Sequence, residues 1–74
     1  MDEVMTGELR AAIAQALNSL PVQQRAAIEL KSMGLSLADI GESLSVTPNH
    51  AGVLVHRARQ ALRQLLANHL KETR

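Results

Sequence analysis

The side chains with chemical potential crowd into the second part of the chain: His50, His56 and His69, then Arg57, Arg59, Arg63, Lys71 and Arg74, with Asn49 at their head. The histidines lie six and thirteen residues apart. Two metal ligands on one helix face need a separation of four, and neither a cysteine nor a carboxylate completes a set. Gly7, Gly34, Gly41 and Gly52 are scattered, so no phosphate-cradling loop forms. His69 continues an apolar stripe near a helix end and reads as packed or dipole-stabilised. Met1, Met5 and Met33 read as core or terminal residues. No catalytic residue, metal or cofactor is expected, and the chain does not read as an enzyme. What remains is arginine and asparagine chemistry: Arg pairs with guanine or phosphate, Asn with adenine.

Charge is distributed in the same sense. Residues 1–45 hold three basic and six acidic side chains, a net −3, whereas residues 46–74 hold five basic and one acidic, a net +4. A basic end on an acidic body presents one face to a polyanion and the other elsewhere. The 74 residues are 46% apolar and contain no Cys, Phe, Tyr or Trp. This is one small domain with a thin core and no disulfide to staple it, for which a helical bundle is the natural solution. No membrane span or secretion signal is evident, and a cytoplasmic location is expected.

The elements that must position these residues follow from periodicity and punctuation. Leu9, Ala12, Ile13, Ala16, Leu17 and Leu20 trace one helical stripe over about Gly7 to Ser19. Leu20-Pro21 ends it, and Pro21 suits the first position of a second helix running to about Met33. In that helix Val22, Ala26, Leu30 and Met33 are expected inward and Gln23, Gln24 and Lys31 outward. Gly34 is the stop. Ser36 with Asp39 caps a short third helix through Leu44. Thr47 as N-cap and Pro48 at the first position open a fourth, extending to about Asn68, with Ala51, Val55, Ala58, Leu62 and Leu65 inward.

A short helix, a three-residue turn and a long basic helix constitute a helix-turn-helix. Gly41 is small where the two helices approach most closely. The fold class is therefore all-α: a small four-helix domain over 7–70 with a C-terminal helix-turn-helix and a long recognition helix. Residues 1–6 are expected as a flexible N-terminal segment and 71–74 as a frayed C-terminus.

Four segments carry a resemblance. Leu20-Pro-Val-Gln-Gln-Arg-Ala-Ala-Ile-Glu-Leu-Lys31, Gly34-Leu-Ser-Leu-Ala-Asp-Ile40, Leu44-Ser-Val-Thr-Pro48 and His56-Arg-Ala-Arg-Gln-Ala-Leu-Arg63 together resemble region 4 of bacterial sigma-70-family sigma factors, especially the extracytoplasmic-function group. The likeness spans Leu20 to about Leu66. The same core is similar to the four-helix domain of LuxR-type regulators, which rarely ends in the Arg-Ala-Arg-x-x-Leu-Arg run and ranks second. The resemblance implies recognition of the promoter −35 element as duplex DNA, docking on the RNA polymerase β-subunit flap, occlusion by an anti-sigma factor, and a place beside the bacterial nucleoid. It implies no membrane and no small-molecule substrate. Capture of unstacked −10 bases would need aromatic side chains, so strand opening is not expected, and the chain reads as a detached fourth domain or a stand-alone relative. A rival reading is a sigma-like interaction module that uses Glu29, Asp39, Glu42 and the interhelical grooves mainly to bind an anti-sigma partner.

With the stripe of the fourth helix turned inward, its opposite face centres on Asn49, Val53, His56 and Gln60. Arg57 lies on one flank, and Gly52, Arg59 and Arg63 on the other. The N-terminal turns of such a helix enter the major groove, which makes Asn49, His50, Val53, His56 and Arg57 the candidate base readers. Thr47, Arg59 and Arg63, with the amides of the helix N-terminus, are the candidate phosphate contacts. The family commonly carries basic residues where this chain has Gly52 and Leu54, so the resemblance does not extend to those two positions, and Leu54 is expected in the core.

Overall fold

The boundaries between successive helices have local causes. A computed structural model describes residues 7–72, with side chains for 7–68. The four helices are α1 (Gly7–Asn18), α2 (Val22–Ser32), α3 (Leu37–Leu44) and α4 (Pro48–Glu72), the all-α arrangement expected. The segment 1–6 and residues 73 and 74 of the expected tail lie outside the described residues, as do the side chains of 69–72, that of His69 included.

Between α1 and α2 the Ser19 amide donates to the Gln15 and Ala16 carbonyls, both at 3.1 Å. Pro21 follows with φ −54° and ψ 148°. That extended ψ makes Pro21 the N-cap, one position earlier than expected, and its carbonyl accepts the Arg25 amide at 2.9 Å. The far end of α2 closes as anticipated at Gly34, whose φ of 96° suits glycine alone. The Leu35 amide reaches back to the Leu30 carbonyl at 3.3 Å and the Gly34 amide to that of Lys31 at 3.0 Å. This is the paired bonding of a Schellman turn, and it folds Leu35 onto the core beside Leu30.

The turn between α3 and α4 is closed in the same way, without glycine. Ser36 Oγ accepts the Asp39 amide at 3.1 Å to open α3, and Ser45 ends it in the left-handed region, φ 59° and ψ 41°. The Val46 amide then bonds the Gly41 carbonyl at 2.8 Å, which drops Val46 against the core. Thr47 Oγ1 accepts the His50 amide at 3.0 Å, and α4 begins at Pro48. Gly41 is buried, and a Cβ there would stand 2.6 Å from the Val46 carbonyl oxygen. The close approach expected at Gly41 is thus one of helix against turn backbone.

α4 is the spine of the molecule. The other three helices all pack on it, and α2 and α3 also pack on each other. The central cluster is Ala27, Ile40, Ala51, Leu54 and Val55, with Ile28, Leu30, Leu35, Leu44 and Val46 packed around it. Ala12, Ala16, Leu20 and Ala58 are buried as well. Five of these nine buried apolar residues are alanines, so much of the core is built from small side chains, with Leu20, Ile40, Leu54 and Val55 supplying its bulk.

The inward face expected for α2 requires correction. Val22 is 84% and Met33 73% exposed. Ala27 is the buried residue, and Gln24 and Lys31, expected outward, are half-buried. The physical reason is that α2 must face α3 and α4 together. Ala27 sits in the central cluster with Ile40 of α3 and Ala51, Leu54 and Val55 of α4, and the stems of longer polar residues cover the margins. Leu65 of α4, also expected inward, is exposed, while Leu54 is buried as expected.

Candidate nucleic-acid interface

The helix-turn-helix holds the first half of α4 with its outer face clear of the body. Asn49, His50, Val53, His56 and Arg57 are all exposed. Asn49, Val53, His56 and Arg57 line one open groove of about 500 Å³ together with Leu37, Pro48, Gly52 and Gln60. His50 does not line it. Arg63 lies further along, beside a second shallow groove of about 420 Å³ that it shares with Gln60, Gln64, Ala67 and Asn68. Arg59 and Thr47 are exposed outside both.

The electrostatics of this face are simple. From Pro48 to Lys71 α4 carries no acidic residue. Among the described residues, Arg57, Arg59 and Arg63 form no ion pair, whereas Arg25 pairs with Glu29 at 3.0 Å on α2. Arg25 also donates to Asn18 Oδ1 at 2.6 Å, which ties α2 to the end of α1. Three unpaired guanidinium groups along one helix make a field that attracts polyanions. No group of three or more His, Cys, Asp or Glu among the described residues is placed to hold a metal ion.

The N-terminus of α4 offers less than a bare helix end. Pro48 has no N–H, the His50 amide is bonded to Thr47 Oγ1, and the Ala51 amide to the Thr47 carbonyl at 2.9 Å. The Asn49 amide is left as the first-turn donor with no partner among the described residues. Thr47 accepts with its hydroxyl oxygen and keeps its own O–H to donate.

Four groove residues carried no site assignment in the sequence: Gly52 and Gln60, placed on the outer side of α4 without a contact role, and Leu37 and Pro48. Leu37 belongs to α3 and reaches the groove because the two helices cross beside Gly52, where a Cβ would meet Leu37 Cδ1 at 3.4 Å. Pro48 was assigned only as a helix opener. Periodicity along a single helix carries no signal for either.

The family model for sigma-70 region 4 matches residues 10–62. The chain belongs to the sigma-70 region 4 family. Among curated proteins it is 44% identical over 66 residues to the ECF RNA polymerase sigma factor SigE of Mycolicibacterium smegmatis, an alignment covering 88% of this chain and 26% of that protein. It is 39% identical over 66 residues to the ECF RNA polymerase sigma factor SigW of Bacillus subtilis, covering 88% of this chain and 35% of that one. The chain thus spans about a quarter to a third of the length of these relatives. No solved structure gives a significant match. The region 4 match includes α2, α3, the turn and α4 as far as Leu62, so the groove at the head of α4 lies wholly within it.

Proposed function

We propose that this chain is the promoter-binding domain of a sigma factor, in which the first turns of α4 enter the major groove of the −35 element. The observation that carries this reading is the exposed, acid-free face of α4, with its unpaired arginines, in a region 4 domain. Asn49, Val53, His56 and Arg57 read base edges from the groove, and His50 reaches a neighbouring base from the flank. Thr47, Arg59 and Arg63 hold phosphates. This is a binding role and not a catalytic one, and family membership supports it. It is exercised in the bacterial cytoplasm, at the nucleoid.

If three to five phosphates are neutralised, binding falls with a log-log salt slope of about −3 to −4.5, and non-specific affinity sits at about 10⁻⁴ to 10⁻⁶ M. An affinity of that order is useful only when tethered, so the domain works through a second attachment, docked on the RNA polymerase β-subunit flap. Titration with duplexes of varied −35 sequence at two salt concentrations tests the reading. A steep salt slope together with a preference among sequences supports it. Affinity that depends on salt but not on sequence leaves plain charge attraction and removes the −35 assignment.

A protein partner is a second reading, and a separate surface supports it. Val22 on α2 and Met33, the residue that caps its C-terminal end, are largely exposed, with Glu29 on the same helix. Asp39 and Glu42 on α3 are exposed as well. An anti-sigma factor bound there would give a stoichiometric complex indifferent to DNA.

A further inference from the structure

The groove at the head of α4 is apolar on one side. Leu37, the first residue of α3, and Val53 of α4 are each 37% exposed, and both line it. Leu37 stands uncovered because position 52 has no side chain: a Cβ there would lie 3.4 Å from Leu37 Cδ1, and anything longer would lie across the leucine. Glycine weakens a helix interior. Gly34 answers to a positive φ and Gly41 to a backbone collision, but neither applies at Gly52. The consequence of this glycine is an open aliphatic recess. Asn49 stands one turn before Val53 and Arg57 one turn after, each about 6 Å along the axis, and both line the same groove.

We propose that Leu37 and Val53, left uncovered by Gly52, receive the C5-methyl group of a thymine. Of the four standard bases only thymine displays a methyl group in the major groove. An aliphatic recess flanked by an amide and a guanidinium therefore selects a thymine among positions read by hydrogen bonds. This inference rests on the reading of α4 as the groove-entering helix and specifies what one part of that face recognises.

The test changes the DNA by one methyl group. Duplexes are enriched from a randomised library with the 74-residue chain at low salt, and each thymine of the preferred duplex is then replaced singly by deoxyuridine. Affinities are read by fluorescence anisotropy. At one or two positions the replacement is expected to weaken binding about fourfold, the worth of one methyl-sized group taken out of water. Val53→Ala removes one recess wall and Gly52→Lys covers the other at Leu37, so in each variant the thymine-to-uracil ratio falls toward one, whatever happens to overall affinity. Tolerance of uracil at every position, with sequence preference intact, overturns the methyl contact and leaves the DNA reading standing. Full sensitivity in both variants overturns the assignment to these residues. Failure to enrich any duplex, together with no salt-dependent duplex binding in direct titration up to about 10⁻⁴ M, removes both readings together.

Discussion

Arg57 and Arg59 are two residues apart, which on a helix turns them about 200° from each other. Arg57 lines the groove with Asn49 and Val53, while Arg59 is exposed outside it. Their removal should therefore have different signatures. Arg57→Ala is expected to cost about 1–3 kcal/mol on the preferred duplex and to relax preference at one position. Arg59→Ala is expected to weaken all sequences alike and to reduce the salt slope by about 1. Anisotropy titrations at two salt concentrations, with circular dichroism to verify the fold, separate the two. Unchanged binding by Arg57→Ala would remove the proposed face. Thr47 is a poor probe of phosphate contact, because its hydroxyl also caps α4, and Thr47→Ala carries a cost of about 1 kcal/mol in stability whatever it does to DNA.

At the scale of the element, the α3–α4 turn sets the angle at which α4 leaves the body, and two residues hold it. Gly41→Ala improves helix propensity by about 1 kcal/mol. It also drives a Cβ to 2.6 Å from the Val46 carbonyl oxygen, which as backbone has little room to move. The collision wins, and a net destabilisation of about 1–3 kcal/mol is expected by urea denaturation. A more stable Gly41→Ala would show the turn to be looser than described. Ser45 has the opposite sign. It sits at φ 59° without being glycine, and Ser45→Gly should relieve that strain for a gain of up to about 1 kcal/mol after the added freedom of the unfolded chain is subtracted. A lower urea midpoint would contradict this.

For the whole molecule, the limiting resource is core volume. A chain of 74 residues has a total stability of about 4–11 kcal/mol at the usual value per residue. Ile40 is the largest fully buried side chain, and Ile40→Ala is expected to cost about 2–5 kcal/mol, enough to bring the melting transition close to room temperature. Val22→Ser, at 84% exposure, should change stability by no more than about 0.5 kcal/mol. The two melting curves together test the orientation of α2: a large effect at Val22 would restore the inward face expected from periodicity. The described residues extend 41 × 25 × 14 Å, with α4 as the longest helix, and the charge is divided by element: Glu29 lies on α2, Asp39 and Glu42 on α3, and Arg57, Arg59 and Arg63 on α4.

Much of this architecture was legible because it is local. Ser36 and Thr47 each bond an amide three residues ahead, Gly34 supplies a positive φ, and Pro48 opens a helix; each depends on a few neighbouring residues, and so can be read from a line of letters. The outer face of α4 was legible too, since one apolar stripe leaves one opposite side. The phase of α2 was not. Its aliphatic residues are spread around the helix, and the buried side was set by the cluster that Ala27 joins with residues of α3 and α4, a property of three helices at once. Nor could Leu37 be assigned to the groove, because it enters by the crossing of α3 over Gly52. Side chains that meet across a helix crossing share no period and no spacing, so their juxtaposition exists only when the chain is folded.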